Sequence, residues 1–208
     1  MRLVAAIDFE TTGLSPTIGD RATEIAIVLM QGDKVVDRFE SLMNAGVSIQ
    51  PHIEELTGIS NKMIACAPSA EKVMTEARNF VGNALMVAHN ASFDQRFWRF
   101  ELDRLGLDYG HNFACTMLLS RRLYPSAENH KLGTVADFLS LPRNGRSHRA
   151  MPDAELAASL FKKIQRDLRE KFHVPEPNYH FLAKLQKCQV HNMHRVVEEH
   201  LQSLERST

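Results

Sequence analysis

The sequence lacks an apolar run long enough to cross a bilayer, which takes about 20 consecutive residues. The apolar residues 3–7 are interrupted by Asp8, and this run is shorter than the core of a signal peptide. We therefore expect a protein that neither spans a membrane nor is secreted.

Cysteine is scarce, since Cys66, Cys115 and Cys188 are the only three in 208 residues. Their odd number and wide spacing argue against a disulfide framework. Unpaired thiols persist in reducing compartments, so we expect the protein in the cytoplasm.

An excess of charge is also absent, because 25 lysines and arginines balance 25 acidic residues. Proteins that coat duplex nucleic acid usually carry a strong basic excess, so this class is disfavoured. A protein that binds only a few terminal nucleotides needs no such excess. The length and the 44% hydrophobic content are ordinary for one globular core with a short appendage.

The chain alternates between strand-like and helix-like patterns. Residues 2–9 are apolar on both faces, as in the central strand of a covered sheet. Residues 22–30 and 35–43 are predicted to form a hairpin around a turn at residues 31–34. Further strands are predicted at residues 85–88 and 113–116, and helices at residues 52–56, 69–81, 92–105, 117–124, 131–139 and from Pro152 onward. This order predicts an α/β fold with a mixed central β-sheet flanked by helices.

Pro175 and Pro177 indicate a hinge after the main domain, which we place at residues 1–172. Residues 173–208 are predicted to form a short helical C-terminal extension that packs on the main domain or on a partner. Its Cys188, His191 and His194 are spaced three apart. On one helix they would not converge, which argues against a zinc site.

Asp8 and Glu10 lie two residues apart at the end of the predicted central strand, so their side chains share one face. Two buried carboxylates repel each other and lose hydration, and a divalent cation would compensate for both effects. The pair alone favours the other interpretation, a strand that ends in solvent.

Asp94 and Asp153 each lie in the first turn of a predicted helix, where the helix dipole favours an acid. Asp153 also precedes Ala157 and Leu160 at helical spacing, which places it on the inward face. Acids from three elements are thus expected near one edge of the sheet. An oxygen-only cluster suits Mg²⁺ or Mn²⁺ better than zinc, and two such ions can clamp the attacking and leaving oxygens of a phosphodiester.

His148 lies five residues before Asp153 in a polar loop. With a reference pKa of about 6.5 it is mostly neutral at pH 7, so it could deprotonate a water as general base. A lone histidine in a loop is more often an ordinary surface residue, and only the link to Asp153 favours the catalytic interpretation.

Three segments resemble, in order, the motifs of the DEDD superfamily of 3′→5′ exonucleases, in the DEDDh branch that has a histidine in its third motif. They are residues 8–13 (DFETTG), 89–94 (HNASFD) and 148–154 (HRAMPDA). This superfamily includes ribonuclease T and the proofreading epsilon subunit of bacterial DNA polymerase III. The resemblance implies a ribonuclease-H-like fold and release of nucleoside monophosphates from a 3′ end with two Mg²⁺ or Mn²⁺ ions.

By position, the resemblance implies a set of metal ligands and a base. The implied ligands are Asp8, Glu10, Asp94 and Asp153, and the implied general base is His148; Glu10 would also approach the terminal 3′-hydroxyl. The candidate substrate contacts are Thr12, Gly13, Leu14, Leu56, Thr57, Asn90 and Phe93. Turn chemistry and core packing are the alternative interpretation of these contacts.

Three arginines near His148 form a candidate phosphate-binding patch, although they could equally form a solvated loop. They are Arg143, Arg146 and Arg149. Gly145 in the same loop leads to the hypothesis that the loop closes when substrate binds and brings His148 into place.

Single-stranded 3′ ends are the expected substrate, with DNA favoured over RNA. The sugar preference depends on how the pocket treats a 2′-hydroxyl, so an exoribonuclease is an alternative. A proofreading or accessory subunit bound to a polymerase is another, and a second copy of the chain is a further candidate partner. A homologue that binds nucleic acid without catalysis is disfavoured, because all five motif residues are present.

Overall fold

The computed structural model describes residues 3–143, 148–175 and 177–206. Five strands in this part of the chain form one sheet: β1 (Leu3–Thr11), β2 (Ala22–Gln31), β3 (Lys34–Leu42), β4 (Leu85–Ala88) and β5 (Phe113–Cys115). Their order is β3-β2-β1-β4-β5. The β1–β2 and β2–β3 pairs are antiparallel, whereas β1–β4 and β4–β5 are parallel. The mixed sheet and its hairpin are therefore as predicted.

Helices cover both faces of the sheet. In the described residues they are α1 (Pro51–Thr57), α2 (Asn61–Ala65), α3 (Ala70–Val81), α4 (Ser92–Asp103), α5 (Thr116–Leu123), α6 (Leu132–Phe138), α7 (Ala150–Phe172), α8 (Tyr179–Leu185) and α9 (Met193–Glu205). None of them combines the length and the apolar character that a membrane span requires.

The two faces of β1 have different partners, because successive side chains of a strand point in opposite directions. Ala6 belongs to the hydrophobic cluster that contains the buried residues of α7. Ile7 belongs to the cluster that contains those of α3 and α4. Asp8 and Glu10 continue the alternation of Ala6, so they lie on the α7 side of the sheet.

Local signals explain several helix ends. Ser69 caps α3 by accepting a hydrogen bond from the Lys72 N–H, as N-cap serines do. Gly58 ends α1 with a φ of 73°, a left-handed conformation that glycine adopts without a Cβ clash. Pro152 does not open α7, contrary to the prediction, because the helix begins at Ala150. Pro152 is instead in the first turn, where an N–H would have no partner within the helix.

The C-terminal extension packs on the main core. Phe181, Leu182 and Leu185 of α8 are buried in the same cluster as α7. The side-chain oxygen of Gln186 accepts a hydrogen bond of 2.8 Å from the main-chain N–H of Cys115 in β5. Of the two expected arrangements, packing on the main domain is the one seen in the structure.

Candidate active site

The parallel pairing of β1 and β4 brings the carboxyl ends of both strands to the same edge of the sheet. Asp8 and Glu10 are half-buried near the end of β1. Asp94 follows β4 in the first turn of α4 and is buried. Asp153 lies in the first turn of α7, which packs on the same face of β1. The fold thus places acids from three elements at one edge.

These acids line a cleft of about 430 Å³ together with His148. The residues that line it are Asp8, Phe9, Glu10, Thr11, Gly13, Leu14, His52, Ile53, Leu56, Thr57, His89, Asn90, Phe93, Asp94, His148 and Asp153. All five predicted ligand and base residues therefore face one space.

Three of the five approach one another closely. Carboxylate oxygens of Glu10 and Asp153 and a ring nitrogen of His148 all lie within 4.8 Å of one another. Asp94 is fixed from another direction, because its Oδ1 accepts a hydrogen bond of 3.2 Å from the main-chain N–H of Phe9. Phe9 is the residue between Asp8 and Glu10 in the sequence.

Burial and mutual repulsion disfavour negative charge in this cluster. Burial, followed by the nearby Asp94 and Glu10, raises the pKa of Asp8 well above its ordinary value. Burial, followed by Asp153, raises the pKa of Glu10 to about 8. Burial raises the pKa of Asp94 to about 8 and also raises the pKa of Asp153. A bound cation would offset this repulsion, and the oxygen donors of the cluster match the preference of hard divalent cations.

His148 has a strained main chain. Its φ is 61°, in the left-handed region that residues with a Cβ rarely occupy. Its main-chain N–H donates a hydrogen bond of 3.0 Å to Oδ2 of Asp153, and the residue is exposed. Gly145 and Arg146, on which the closing-loop hypothesis and part of the basic patch depend, lie outside the described residues.

Arg149 is held by a residue that the sequence analysis did not single out. Its guanidinium donates hydrogen bonds to both carboxylate oxygens of Glu24, at 3.1 Å from Nε and 2.6 Å from Nη2. Glu24 lies opposite Glu10 in the β1–β2 register and is 1% exposed. An acid inside the apolar run of β2 was the available signal, since a buried acid requires a partner.

The remaining patch arginine in the described chain is also paired. Arg143 forms an ion pair of 2.5 Å with Asp137 and a hydrogen bond with the carbonyl of Gly133. The cation–phosphate role of Arg143 and Arg149 therefore stays a prediction, and both guanidinium groups have partners within the protein.

The predicted substrate contacts divide into two groups. Six line the cleft, and of these Leu14 and Leu56 are strongly exposed. Thr12 is not among the lining residues; it is buried, and its hydroxyl accepts a hydrogen bond of 3.0 Å from the Arg21 N–H. Gly13 permits a close approach, because a Cβ there would lie 2.4 Å from a carboxylate oxygen of Asp20.

The cleft also contains His52, Ile53 and His89, which the sequence analysis had not named as site residues. His52 and Ile53 precede Leu56 at helical spacing in α1, so the same helix face could have indicated them. His89 joins the start of α5 to the loop before α6, with Nδ1 at 2.9 Å from the Thr116 hydroxyl and Nε2 at 2.9 Å from the His130 carbonyl. Burial lowers the pKa of His89 to about 4.

Known proteins share this sequence pattern. Residues 5–161 match the family model RNase_T, described as "Exonuclease". The chain is 39% identical over 163 residues to the PolC-type DNA polymerase III of Caldanaerobacter subterraneus subsp. tengcongensis, covering 78% of the chain and 12% of that protein. It is 37% identical over 180 residues to the 3′-5′ exonuclease DinG of Bacillus subtilis, covering 86% of the chain and 19% of that protein. The chain therefore spans less than a fifth of either relative.

Solved structures share the fold. Exonuclease X in complex with 5′ overhanging duplex DNA superposes with a TM-score of 0.65 at 29% identity, covering 78% of this chain and 91% of that one. The nuclease domain of 3′hExo, a DEDDh family member bound to rAMP, superposes with a TM-score of 0.69 at 18% identity, covering 80% and 92%. These matches show that the chain belongs to the exonuclease family, whose model covers residues 5–161, and that it has the fold of a DEDDh family member.

Proposed function

We propose that this chain hydrolyses single-stranded nucleic acid from its 3′ end with two Mg²⁺ or Mn²⁺ ions and releases nucleoside 5′-monophosphates. The observation that carries the proposal is the acidic cleft, in which the side chains of Asp8, Glu10, Asp94 and Asp153 come together. A cluster of carboxylates whose pKa values are raised by burial is costly to keep ionised. A site of this kind fits a ligand that brings positive charge.

The donor set fits magnesium or manganese. Asp8, Glu10, Asp94 and Asp153 would hold the ions through oxygen atoms, which hard cations prefer. Ions held by these residues would supply Lewis acidity for activating a water and for stabilising the departing 3′ oxygen.

His148 is the proposed general base. Its ring nitrogen lies within 4.8 Å of carboxylate oxygens of Glu10 and Asp153, so a water held by these acids would be within reach of the imidazole. The exposure of His148 gives the accepted proton a route to solvent. The Asp153 carboxylate orients the main chain of His148 through the 3.0 Å hydrogen bond.

The wall of the cleft suits unpaired bases. Leu14 is 77% exposed and Leu56 is 48% exposed, and apolar side chains left in solvent at a cleft mark a binding surface. Phe93 offers a ring on which a base can stack. DNA is the favoured substrate, because the structural relative at 29% identity binds DNA.

A second candidate function is proofreading in association with a polymerase. The observation that favours it is the 39% identity to a segment of a PolC-type DNA polymerase III. This role uses the same reaction in the same cleft. The two proposals differ only in whether the chain acts in association with a polymerase. A cytoplasmic location accords with either role and with the free thiols of the described chain.

The proposed reaction is tested with purified protein and 5′-labelled single-stranded DNA or RNA of the same sequence, in Mg²⁺, Mn²⁺ or EDTA. We expect a ladder that shortens from the 3′ end, requires metal and forms faster on DNA. Asp8→Ala is expected to abolish it, whereas Asp37→Ala on the exposed strand β3 should leave it unchanged. Failure of the folded wild-type protein to cut either oligonucleotide with either metal would overturn the proposal.

A further inference from the structure

We propose that Glu24 and Arg149 form a positioning pair that fixes His148 and Asp153 for hydrolysis, and that Arg149 serves the reaction in this way and does not bind substrate phosphate. The inference rests on the proposed function, because it assigns to both residues a part in that reaction. It replaces the role that the sequence suggested for Arg149.

The pair forms a clamp around a buried acid. Glu24 is 1% exposed and accepts three hydrogen bonds: two from the Arg149 guanidinium, at 3.1 and 2.6 Å, and one of 3.0 Å from the main-chain N–H of Ala150. Paired, charge-assisted bonds of this kind fix orientation as well as distance. The hydrogen bond to Glu24 raises the pKa of Arg149 further, so the guanidinium remains charged.

The clamp acts at the first residue of α7. Arg149 is the N-cap residue, and its own side chain makes no capping hydrogen bond. Glu24 supplies the missing acceptor from the neighbouring strand by binding the N–H of Ala150. A free N–H at a helix start normally requires such a partner, so Glu24 determines where α7 begins relative to β2.

Asp153 and His148 are both connected to Arg149, the residue that the clamp holds. The Asp153 N–H donates to the Arg149 carbonyl at 3.3 Å, and the Asp153 carboxylate accepts from the His148 N–H at 3.0 Å. His148 immediately precedes the clamped Arg149. Its left-handed φ of 61° is a conformation that persists only where the surroundings impose it. Fixing Arg149 therefore restricts the direction of the neighbouring imidazole.

The register of the sheet gives the clamp its precision. Glu24 is the partner of Glu10 across β1 and β2, so both side chains lie on the α7 side of the sheet. Glu10 is in turn one of the three groups that lie within 4.8 Å of one another with His148 and Asp153. The clamp thus joins α7 to the sheet at the residue pair that includes Glu10, a member of the acid cluster.

Kinetics separates positioning from phosphate binding. For Arg149→Lys and Arg149→Gln we expect kcat to fall roughly 10- to 100-fold, as for other residues that orient catalytic ligands. KM, and the Kd for a fluorescein-labelled single-stranded DNA in EDTA, should change less than about twofold, since the free energy of substrate binding is untouched. A phosphate contact predicts the reverse: an unchanged kcat, a raised Kd and a salt dependence reduced by about one counterion.

Glu24→Gln provides a second test of the positioning pair. A positioning pair predicts that this variant lowers kcat as the Arg149 variants do, and that Glu24→Gln combined with Arg149→Gln costs no more than the worse single change, because both remove one clamp. If Arg149 bound phosphate, freeing it from Glu24 would preserve kcat and tighten DNA binding. That outcome would overturn the proposal.

Hydrogen exchange tests the clamp without any turnover. In EDTA, amides of residues 149–153 should exchange faster in Arg149→Lys than in the wild-type protein, at an unchanged melting temperature. Arg38→Lys is the matched control, because Arg38 also joins the sheet to α7, through an exposed 2.8 Å pair with Glu155. It should alter neither exchange nor kcat.

The exchange result also separates this inference from the proposed function. In one outcome, the wild-type protein fails to cut nucleic acid while Arg149→Lys still accelerates exchange. This result would overturn the proposed function. It would leave the clamp as a structural element only and so would remove its proposed part in catalysis. Active wild-type protein with unchanged exchange and unchanged kcat in Arg149→Lys would overturn the positioning pair alone.

Discussion

The Asp94 carboxylate accepts a 3.2 Å hydrogen bond from the main-chain N–H of Phe9, the residue between Asp8 and Glu10. The acid on α4 is therefore joined directly to the strand that presents the other two acids. Asp94 has a structural partner as well as a position in the cleft, and substitutions can separate these two contributions.

Asp94→Asn and Asp94→Ala should differ in stability. Asparagine keeps an oxygen that can accept from Phe9, whereas alanine leaves this buried N–H without a partner, which costs about 1–3 kcal/mol. Urea unfolding in EDTA at pH 7 should thus show a loss for Asp94→Ala and little or none for Asp94→Asn. Equal losses in the two variants would contradict the structural role, and both variants should be inactive.

The metal-free protein should lose stability as the pH rises. The ordinary pKa values of 4.5 for Glu10 and 3.8 for Asp94 are raised to about 8 in the folded chain. The folded state therefore retains protons that the unfolded state has released, and the free energy of unfolding falls as the pH rises from about 4.5 to about 8. Melting temperatures in EDTA from pH 5 to 9 would measure this fall.

Two controls belong to the pH experiment. Saturating Mg²⁺ should oppose the fall, because it binds the ionised acids of the folded state. Glu10→Gln should make the slope in EDTA shallower. A slope that is the same with and without Glu10 would show that other groups determine the pH dependence.

His148→Ala should lower kcat by about 10²- to 10⁴-fold, the usual contribution of a general base, with KM nearly unchanged. His52→Ala is the matched control, since His52 lines the same cleft and is not one of the three clustered groups. Steady-state kinetics on a labelled oligonucleotide would measure both. An equal loss in the two variants would remove the special role of His148.

Leu14→Ala should raise KM for oligonucleotides roughly tenfold, which corresponds to about 1.4 kcal/mol of lost apolar contact. Ile18→Ala is the matched control, because Ile18 is 79% exposed on the same loop and does not line the cleft. Hydrolysis of the p-nitrophenyl ester of thymidine 5′-monophosphate should be unaffected by either change. A normal KM in Leu14→Ala would exclude contact with the bases.

Gln186→Ala should destabilise the protein by about 1–3 kcal/mol, because the Cys115 N–H loses its partner in the core. Gln202→Ala, at an exposed position of α9, should change the free energy of unfolding by less than about 0.5 kcal/mol. Urea denaturation would measure both. Equal effects would show that Gln186 does not support β5.

Long periodic segments were predictable from sequence, and isolated contacts were not. The helix predicted at residues 69–81 is α3 (Ala70–Val81), and the strand predicted at residues 85–88 is β4 (Leu85–Ala88). The helix α2, of five residues, is too short to show a period. In α4 the adjacent rings of Phe97 and Trp98 are both fully buried, since the core on this side extends around the helix, and a helical period alone does not predict this.

The site shows the same division. The three motifs, taken in their order along the chain, indicated the acids and His148, because each motif contains the residues that it contributes to the site. The partner of Arg149 could not be identified, because Glu24 is 125 residues away and only the strand register brings them together. Residues distant in sequence meet through the sheet, and one sequence without its fold does not contain that pairing.

The two edges of the sheet are protected in different ways. On one side, the main-chain N–H of Cys115 in the edge strand β5 donates a hydrogen bond to the side chain of Gln186 in the extension. On the other, β3 carries the exposed charges Asp37, Arg38 and Glu40, which make an open strand unfavourable for pairing with another chain. With one edge strand occupied and the other charged, the sheet resists the addition of a strand from another chain, which lowers the tendency to aggregate through its edges.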